Sequence, residues 1–86
     1  MENIRLLPDE YIGRGEVRGF HFKKIMTDPR YYVYQVTDGN KKYFELIKRY
    51  VNGNRESYPT SKMFGIKAWT SPTLERIEQL IKEKFE

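Results

Sequence analysis

The middle of the chain alternates hydrophobic and polar residues, which is the pattern of β-strands that bury one face. Val17–Met26 shows it first, and nearly every residue of Tyr31–Thr37 is β-branched or aromatic. The loop Asp38-Gly39-Asn40 follows, and it can supply the positive φ values of a tight hairpin. The alternation resumes over Lys41–Val51, and Met63–Trp69 can form a short last strand. Three to four antiparallel strands are therefore predicted between residues 17 and 69.

A different period, of three and four residues, begins after Ser71 and Pro72. A serine can accept a hydrogen bond from a free N–H at the start of a helix, and proline at the first helical position loses no hydrogen bond. The sequence therefore predicts an amphipathic helix over residues 72–85, with Trp69 anchoring it on the edge of the sheet. Its apolar stripe consists of Leu74, Ile77, Leu80, Ile81 and Phe85.

These elements predict an α+β fold in which an antiparallel sheet of three to four strands packs on one C-terminal amphipathic helix, in two layers. Each layer has an apolar side that the other must cover. The side chains expected beneath the helix are Phe20, Phe22, Tyr32, Tyr34, Val36, Phe44 and Leu46. The opposite sheet face is then expected to carry a mixed set: His21, Lys23, Ile25, Tyr31, Val33, Gln35, Tyr43, Glu45, Ile47 and Arg49.

A chain of 86 residues favours a single domain, because one hydrophobic core needs most of that length. Residues 1–16 show no sustained period and contain Pro8, Gly13 and Gly15, so they are predicted to be an N-terminal arm or loop. Only Ile4–Leu7 has the composition of a short strand there. The expected order is the arm, the sheet over residues 17–69 and the helix over residues 72–85.

The composition excludes several classes of protein. The absence of cysteine excludes disulfides, thiolate catalysis and cysteine-based zinc sites. The single histidine, His21, has no nucleophile or carboxylate at a recognisable spacing. No apolar run approaches the ~18 residues of a membrane span, and no secretory signal is recognisable. We therefore expect a cytoplasmic, non-enzymatic protein without a catalytic residue, cofactor, metal site or membrane partner, and an enzyme is the least favoured alternative.

The net charge of +4 is unevenly distributed along the chain. It is −2 over residues 1–17, +7 over residues 18–67 and −1 over residues 68–86, and the middle segment holds ten of the thirteen aromatic residues. Basic side chains among tyrosines can contact phosphates while the rings stack on bases. The candidate binding face taken from this segment consists of His21, Lys23, Tyr31, Lys41, Lys42, Tyr43 and Arg49.

Two functions stay open for this face. The first is an interaction module that binds a protein partner, or a second copy of itself, through the sheet face opposite the helix, because mixed surfaces rich in tyrosine are common in interfaces. The alternative is sequence-tolerant binding of single-stranded nucleic acid. A net charge of +4 is modest and Glu45 stands within the proposed footprint, so protein binding is the preferred hypothesis.

The segments Ser57-Tyr58-Pro59 and Phe64-Gly65-Ile66-Lys67-Ala68-Trp69 are the most distinctive stretches of the sequence. Together with Tyr43-Phe44-Glu45 upstream, their order resembles small bacterial proteins of the kind carried on phages and other mobile elements. The similarity covers Tyr31–Phe85. It implies a bacterial cytoplasmic accessory protein, and it carries over no activity and no site residue.

Overall fold

The computed structural model describes residues 4–13, 18–59 and 61–86. A short 3-10 helix, Ser61–Met63, lies before the last strand. The strands and the helix within the described residues are β1 (Glu10–Ile12), β2 (His21–Thr27), β3 (Tyr31–Asp38), β4 (Lys41–Lys48), β5 (Val51–Asn52), β6 (Arg55–Glu56), β7 (Ala68–Ser71) and α1 (Leu74–Phe85).

Five of these strands form one sheet in the order β1-β2-β3-β4-β7, and every neighbouring pair is antiparallel. Helix α1 contacts β4 and β7, so the predicted α+β arrangement of two layers is confirmed. The sheet has one strand more than the upper prediction, because Glu10–Ile12 of the predicted arm pairs with β2. No helix of the described residues is long and apolar enough to cross a membrane.

The segments around the sheet differ from their predictions in detail. The predicted strand Lys41–Val51 ends at Lys48, and Val51 belongs to a separate two-stranded hairpin of β5 and β6. The predicted strand Ile4–Leu7 makes only an isolated bridge, between Arg5 and Arg55. Gly15 of the arm and Val17, the start of the first predicted strand, lie outside the described residues.

Helix α1 begins later than predicted. Thr73, not Ser71, is its N-cap, and its side chain accepts a hydrogen bond from the N–H of Arg76 at 3.3 Å. Ser71 is the last residue of β7, and its Oγ accepts a hydrogen bond from the N–H of Thr73 at 3.1 Å. Ser71 therefore supports the turn that precedes the cap.

The hairpin of β3 and β4 closes through a two-residue turn. Asp38 pairs with Lys41, so only Gly39 and Asn40 lie between the strands. Gly39 has a φ of +60° and Asn40 has a negative φ, which is the pattern of a type II′ turn. The pairing places Val33 opposite Leu46. Odd-numbered residues of β3 therefore lie on the same face as even-numbered residues of β4.

This register gives the sheet two buried faces. The helix face carries Val33 and Leu46, which pack against Ile77, Leu80 and Ile81 of α1. The far face, opposite the helix, has a second core of fully buried side chains: Phe22, Tyr32, Tyr34, Val36, Ile47 and Ala68.

The predicted core assignment is therefore wrong for most of its members. Phe22, Tyr32, Tyr34 and Val36 lie on the far face, and Phe20 packs against that cluster. Only Phe44 and Leu46 of the predicted set contact the helix side. Conversely, Tyr31 and Val33 were expected on the opposite face and belong to the helix cluster.

The far face is buried because other segments of the chain cover it. Leu7 and Tyr11 of the N-terminal arm, which is described over residues 4–13, pack there from one side. Tyr58 and Phe64, from the segment between β6 and β7, pack there as well. Because both faces of the sheet are covered, buried residues of β3 lie on both faces: Tyr32, Val33, Tyr34 and Val36. The strand is therefore not half-buried.

Candidate functional site

The seven residues of the predicted binding face lie on both sides of the sheet. Residues paired across antiparallel strands point to the same face. Tyr43 pairs with Val36 and lies on the far face, whereas Lys23 pairs with Gln35, which pairs with Phe44 of the helix face. By the same rule His21, Tyr31 and Lys42 lie on the helix face and Lys41 on the far face.

Several of these side chains are already engaged within the chain. Tyr31 packs on Phe85 with a ring-centroid distance of 4.9 Å, so its ring covers the end of the helix. His21 Nε2 lies 3.0 Å from a carboxylate oxygen of Glu10 on the neighbouring strand. Lys23, Lys41 and Lys42 are exposed. The structure thus does not bring the seven residues together into one face.

Arg49, the last member of the predicted face, turns into the far-face layer. Its Nε donates to Glu56 Oε2 at 2.8 Å, and its guanidinium lies 4.5 Å from the centroid of the Tyr32 ring. Glu56 also accepts hydrogen bonds from the hydroxyl of Tyr32 at 2.6 Å and from the N–H of Leu7 at 2.9 Å. This network ties the N-terminal arm to the sheet, so Arg49 has a structural role and no free guanidinium.

A second buried carboxyl group, Glu45, lies on the far face of β4. It is 1% exposed, and the hydroxyl of Tyr58 donates to both of its oxygens, at 3.0 Å for Oε2. Burial raises the pKa of Glu45 to about 7, although the hydrogen bond from Tyr58 offsets part of the rise. Glu45 can therefore exchange a proton near neutral pH.

Two tyrosines, Tyr58 and Tyr11, lie beside Glu45 on the far face. The Tyr11 hydroxyl is buried and has no hydrogen-bond partner among the described residues, and burial raises the pKa of this phenol. Glu45 lines none of three described clefts, of about 380, 400 and 230 Å³, whereas Tyr58 lines the first of them. The Glu45 carboxyl is thus buried, and Tyr58, which donates to it, also lines the cleft of about 380 Å³.

A cleft of about 400 Å³ lies at the edge of the sheet, and we call it the edge groove. It lies between the start of β7 and the end of α1. Its lining consists of Lys48, Gly65, Ile66, Trp69, Lys84 and Phe85.

Local chain geometry places an aliphatic side chain at the rim of this groove. The N–H groups of Ile66 and Lys67 both donate to the Met63 carbonyl, at 3.0 and 2.8 Å, which closes a tight turn after the 3-10 helix. Gly65 has a φ of +91°, a conformation that side chains with a Cβ rarely adopt. The turn leaves Ile66 69% exposed, the highest value among the exposed large hydrophobic residues of the described chain.

The floor of the edge groove is aromatic. Trp69 contacts Phe85 edge to face, with centroids 6.1 Å apart, which confirms that this tryptophan anchors the helix at the sheet edge. The Lys84 ammonium lies 5.8 Å from the centroid of the Trp69 ring. Lys48 and Lys84 are exposed and form no ion pair with any described residue, so both charges are available to a ligand.

A second exposed apolar cleft, of about 230 Å³, lies beside the N-terminal arm and includes Ile4, Leu6 and Val51. Its two charged lining residues, Arg49 and Glu56, neutralise each other. It therefore offers apolar area without a free charge to select a partner.

The described residues contain no group of three or more histidine, aspartate or glutamate side chains that could hold a metal ion. Comparisons with protein-family models, with curated proteins and with solved structures find no match for this chain. The resemblance to proteins of phages and mobile elements therefore stays a prediction, and the candidate site depends on the geometry of the chain itself.

Sequence reasoning missed Lys48, Ile66 and Lys84 as members of a site. One signal was present in the sequence: Ile66 follows Gly65 in a segment punctuated for turns, and an isoleucine in a turn has no strand or helix face to bury it. No sequence pattern indicated that the end of α1 would meet this turn.

Proposed function

We propose that this protein is a non-enzymatic interaction module that binds a protein partner through the edge groove. The observation that carries this proposal is the exposure of Ile66 beside Trp69 and Phe85, with Lys48 and Lys84 at the rim. Apolar side chains surrounded by charged ones are the usual anatomy of a protein interface.

The proposed surface differs from the one expected from the sequence. The sheet face opposite the helix is occupied by Leu7, Tyr11, Tyr58 and Phe64, which leaves no flat sheet face for a partner there. The function class is retained, and the contact moves to the sheet edge at β7.

The test is site-specific cross-linking with the full chain. A photoreactive phenylalanine analogue replaces Ile66, and the same analogue replaces Glu78, which is exposed on α1, as the control. In extract of the source cells, the position-66 variant should yield a defined adduct that the position-78 variant does not. The captured protein is then purified and its affinity is measured.

The affinity measurement decides the proposal. Ile66→Asp should weaken binding of the purified partner by about tenfold or more, the effect of losing ~1.4 kcal/mol. If the partner is a second copy of the chain, sedimentation velocity should show a dimer that Ile66→Asp dissociates. Equal cross-linking from both positions, or unchanged affinity of Ile66→Asp, would contradict a partner at the edge groove.

A second candidate function is single-stranded nucleic-acid binding by the same groove, favoured by Trp69 beside two lysines that form no ion pair within the described part of the chain. A labelled oligo-dT should then bind with an affinity that falls steeply as salt is added, because each phosphate contact releases a counterion. Lys48→Glu should weaken that binding further. An affinity independent of salt would contradict this function.

A further inference from the structure

Strand β7 is an edge strand, and one outward-facing position of its backbone, next to Trp69, has no hydrogen-bond partner among the described residues. The N–H of Lys48 donates to the Lys67 carbonyl at 2.8 Å, and hydrogen-bonded and non-hydrogen-bonded pairs alternate along an antiparallel ladder. The backbone groups of Ala68 and Thr70 therefore point away from β4. The Gly65 N–H donates to the Ala68 carbonyl at 2.6 Å, so the outer edge of β7 is already occupied at Ala68. Thr70 is the next residue of β7 whose backbone groups point outward.

The charge of the groove selects the kind of segment that could lie there. Lys48 and Lys84 contribute two positive charges to the lining, and none of the described residues that line the groove is acidic. Two ammonium groups on opposite elements, one on β4 and one on α1, match carboxylates on a bound chain. A basic partner would meet repulsion from both.

The apolar part of the groove favours an aliphatic ligand over a nucleobase. Ile66 provides the exposed surface and has no ring on which a base could stack. The Trp69 ring already packs edge to face with Phe85, and the Lys84 ammonium lies 5.8 Å from its centroid. Two lysines also neutralise few phosphates, so they give a nucleic acid little electrostatic affinity.

We propose that the occupant of the edge groove is an extended, acidic peptide segment of the partner, in which carboxylates alternate with aliphatic side chains. Its carboxylates meet Lys48 and Lys84, an aliphatic side chain packs on Ile66, and its backbone pairs with Thr70 in the manner of an added strand. This inference rests on the proposed function and adds the chemistry of the partner.

The experiment uses Trp69 as the reporter, since it is the only tryptophan of the chain and lies in the groove. The probes are an acetylated, amidated peptide of alternating glutamate and valine, the same peptide with lysine for glutamate, and an oligo-dT of similar length. Each is titrated into the full chain while tryptophan fluorescence is recorded. The glutamate peptide should give a saturable change, and the lysine peptide should give none.

Matched charge reversals locate the contact. Lys48→Glu with Lys84→Glu should weaken binding of the glutamate peptide by about tenfold or more, as should raised salt. Lys41→Glu with Lys42→Glu changes the net charge equally at the exposed hairpin tip and should leave the affinity within about twofold. Circular dichroism checks that each exposed double variant is folded.

Three results would overturn the inference: equal binding of the lysine peptide, equal loss in both double variants, or tighter binding of oligo-dT than of the glutamate peptide. These failures are distinct from failure of the proposed function. A partner cross-linked at position 66 that binds without preference for acidic segments would retain the proposed function and reject the peptide class. Absence of any cross-link at position 66 would reject both.

Discussion

Glu45 and Glu56 are two carboxyl groups buried on the same side of the sheet, and their pKa values are shifted in opposite directions. Burial dominates at Glu45, whose hydrogen-bonding partner is a neutral phenol, and it raises the pKa. Burial also opposes ionisation of Glu56, but hydrogen bonds from Tyr32, from the Leu7 N–H and from Arg49 outweigh it and lower the pKa. The number of hydrogen-bond donors separates the two cases, because Glu56 has three donor residues and Glu45 has one.

The raised pKa of Glu45 predicts that the protein loses stability as the pH rises. The folded group titrates near 7 and the unfolded group near 4.5, so between these values the unfolded chain has released a proton that the folded chain retains. Glu45→Gln removes this difference while it keeps an acceptor for Tyr58. We expect the variant to be more stable than the wild type at pH 8, by up to about 3 kcal/mol in the free energy of unfolding.

Urea unfolding at pH 5 and at pH 8 measures this effect. Glu78→Gln, at an exposed position of α1 that forms no ion pair among the described residues, is the control for the loss of a carboxylate. A gain from Glu45→Gln that is as large at pH 5 as at pH 8 would show that titration of Glu45 is not its cause.

The lowered pKa of Glu56 predicts the opposite dependence on pH. Its contribution to stability is fully present above the unfolded value of 4.5 and is lost as the pH falls through the lower folded value. Glu56→Gln should therefore destabilise the protein by about 2–4 kcal/mol at pH 7, because it leaves Arg49 without its carboxylate. The cost should shrink towards pH 3, and thermal unfolding at both pH values would test it; a cost independent of pH would contradict the assignment.

Lys24 is predicted to hold the N-terminal arm on the sheet. Its Nζ lies 3.8 Å from the centroid of the Tyr32 ring and donates to the Leu7 carbonyl at 2.8 Å. Lys24→Met keeps the length of the side chain and loses the cation, so we expect a loss of about 1–2 kcal/mol and faster hydrogen exchange in the arm. Lys23→Met, one residue earlier and exposed, is the matched control. Equal exchange rates in the two variants would remove this role from Lys24.

Gly39 is predicted to fix the hairpin turn through its backbone conformation. Apart from the two chain neighbours of Gly39, no residue lies within 4 Å of the place where a Cβ would stand, but the φ of +60° is unfavourable for alanine. Gly39→Ala should cost about 1–2 kcal/mol, and Asn40→Ala, at a negative φ, should cost less than about 0.5 kcal/mol. Urea unfolding of both variants compares them, and equal costs would show that the turn adopts another conformation.

The elements were predictable from the sequence, and the faces of the strands were not. Propensity and periodicity located the three central strands and the helix to within a few residues. The face assignment depended on the loop: reading Asp38 as part of a three-residue loop shifts the register by one and moves Tyr32 and Tyr34 beneath the helix. In a strand buried on both faces, hydrophobicity cannot reveal that error.

The candidate site was less accessible to sequence reasoning because residues far apart in the chain build it. Lys48 ends β4, Ile66 lies in a turn and Lys84 lies in the last turn of α1. Local composition favoured the basic segment as a whole. Arg49, which pairs with Glu56, and Lys48, which has no ion pair among the described residues, are simply two basic residues in the sequence. Only tertiary contacts distinguish them.

The hydrogen bond between the Leu7 N–H and Glu56 joins groups 49 residues apart, whereas the central hairpin closes through two. Contacts between distant segments carry a larger loop-closure entropy and form late in folding. The arm is thus the part of the far-face layer that can leave and return while the hairpin stays paired, and its departure would expose buried tyrosine rings. Proteolytic survival of this protein should accordingly depend on how long the arm stays docked, as well as on the stability of the whole fold.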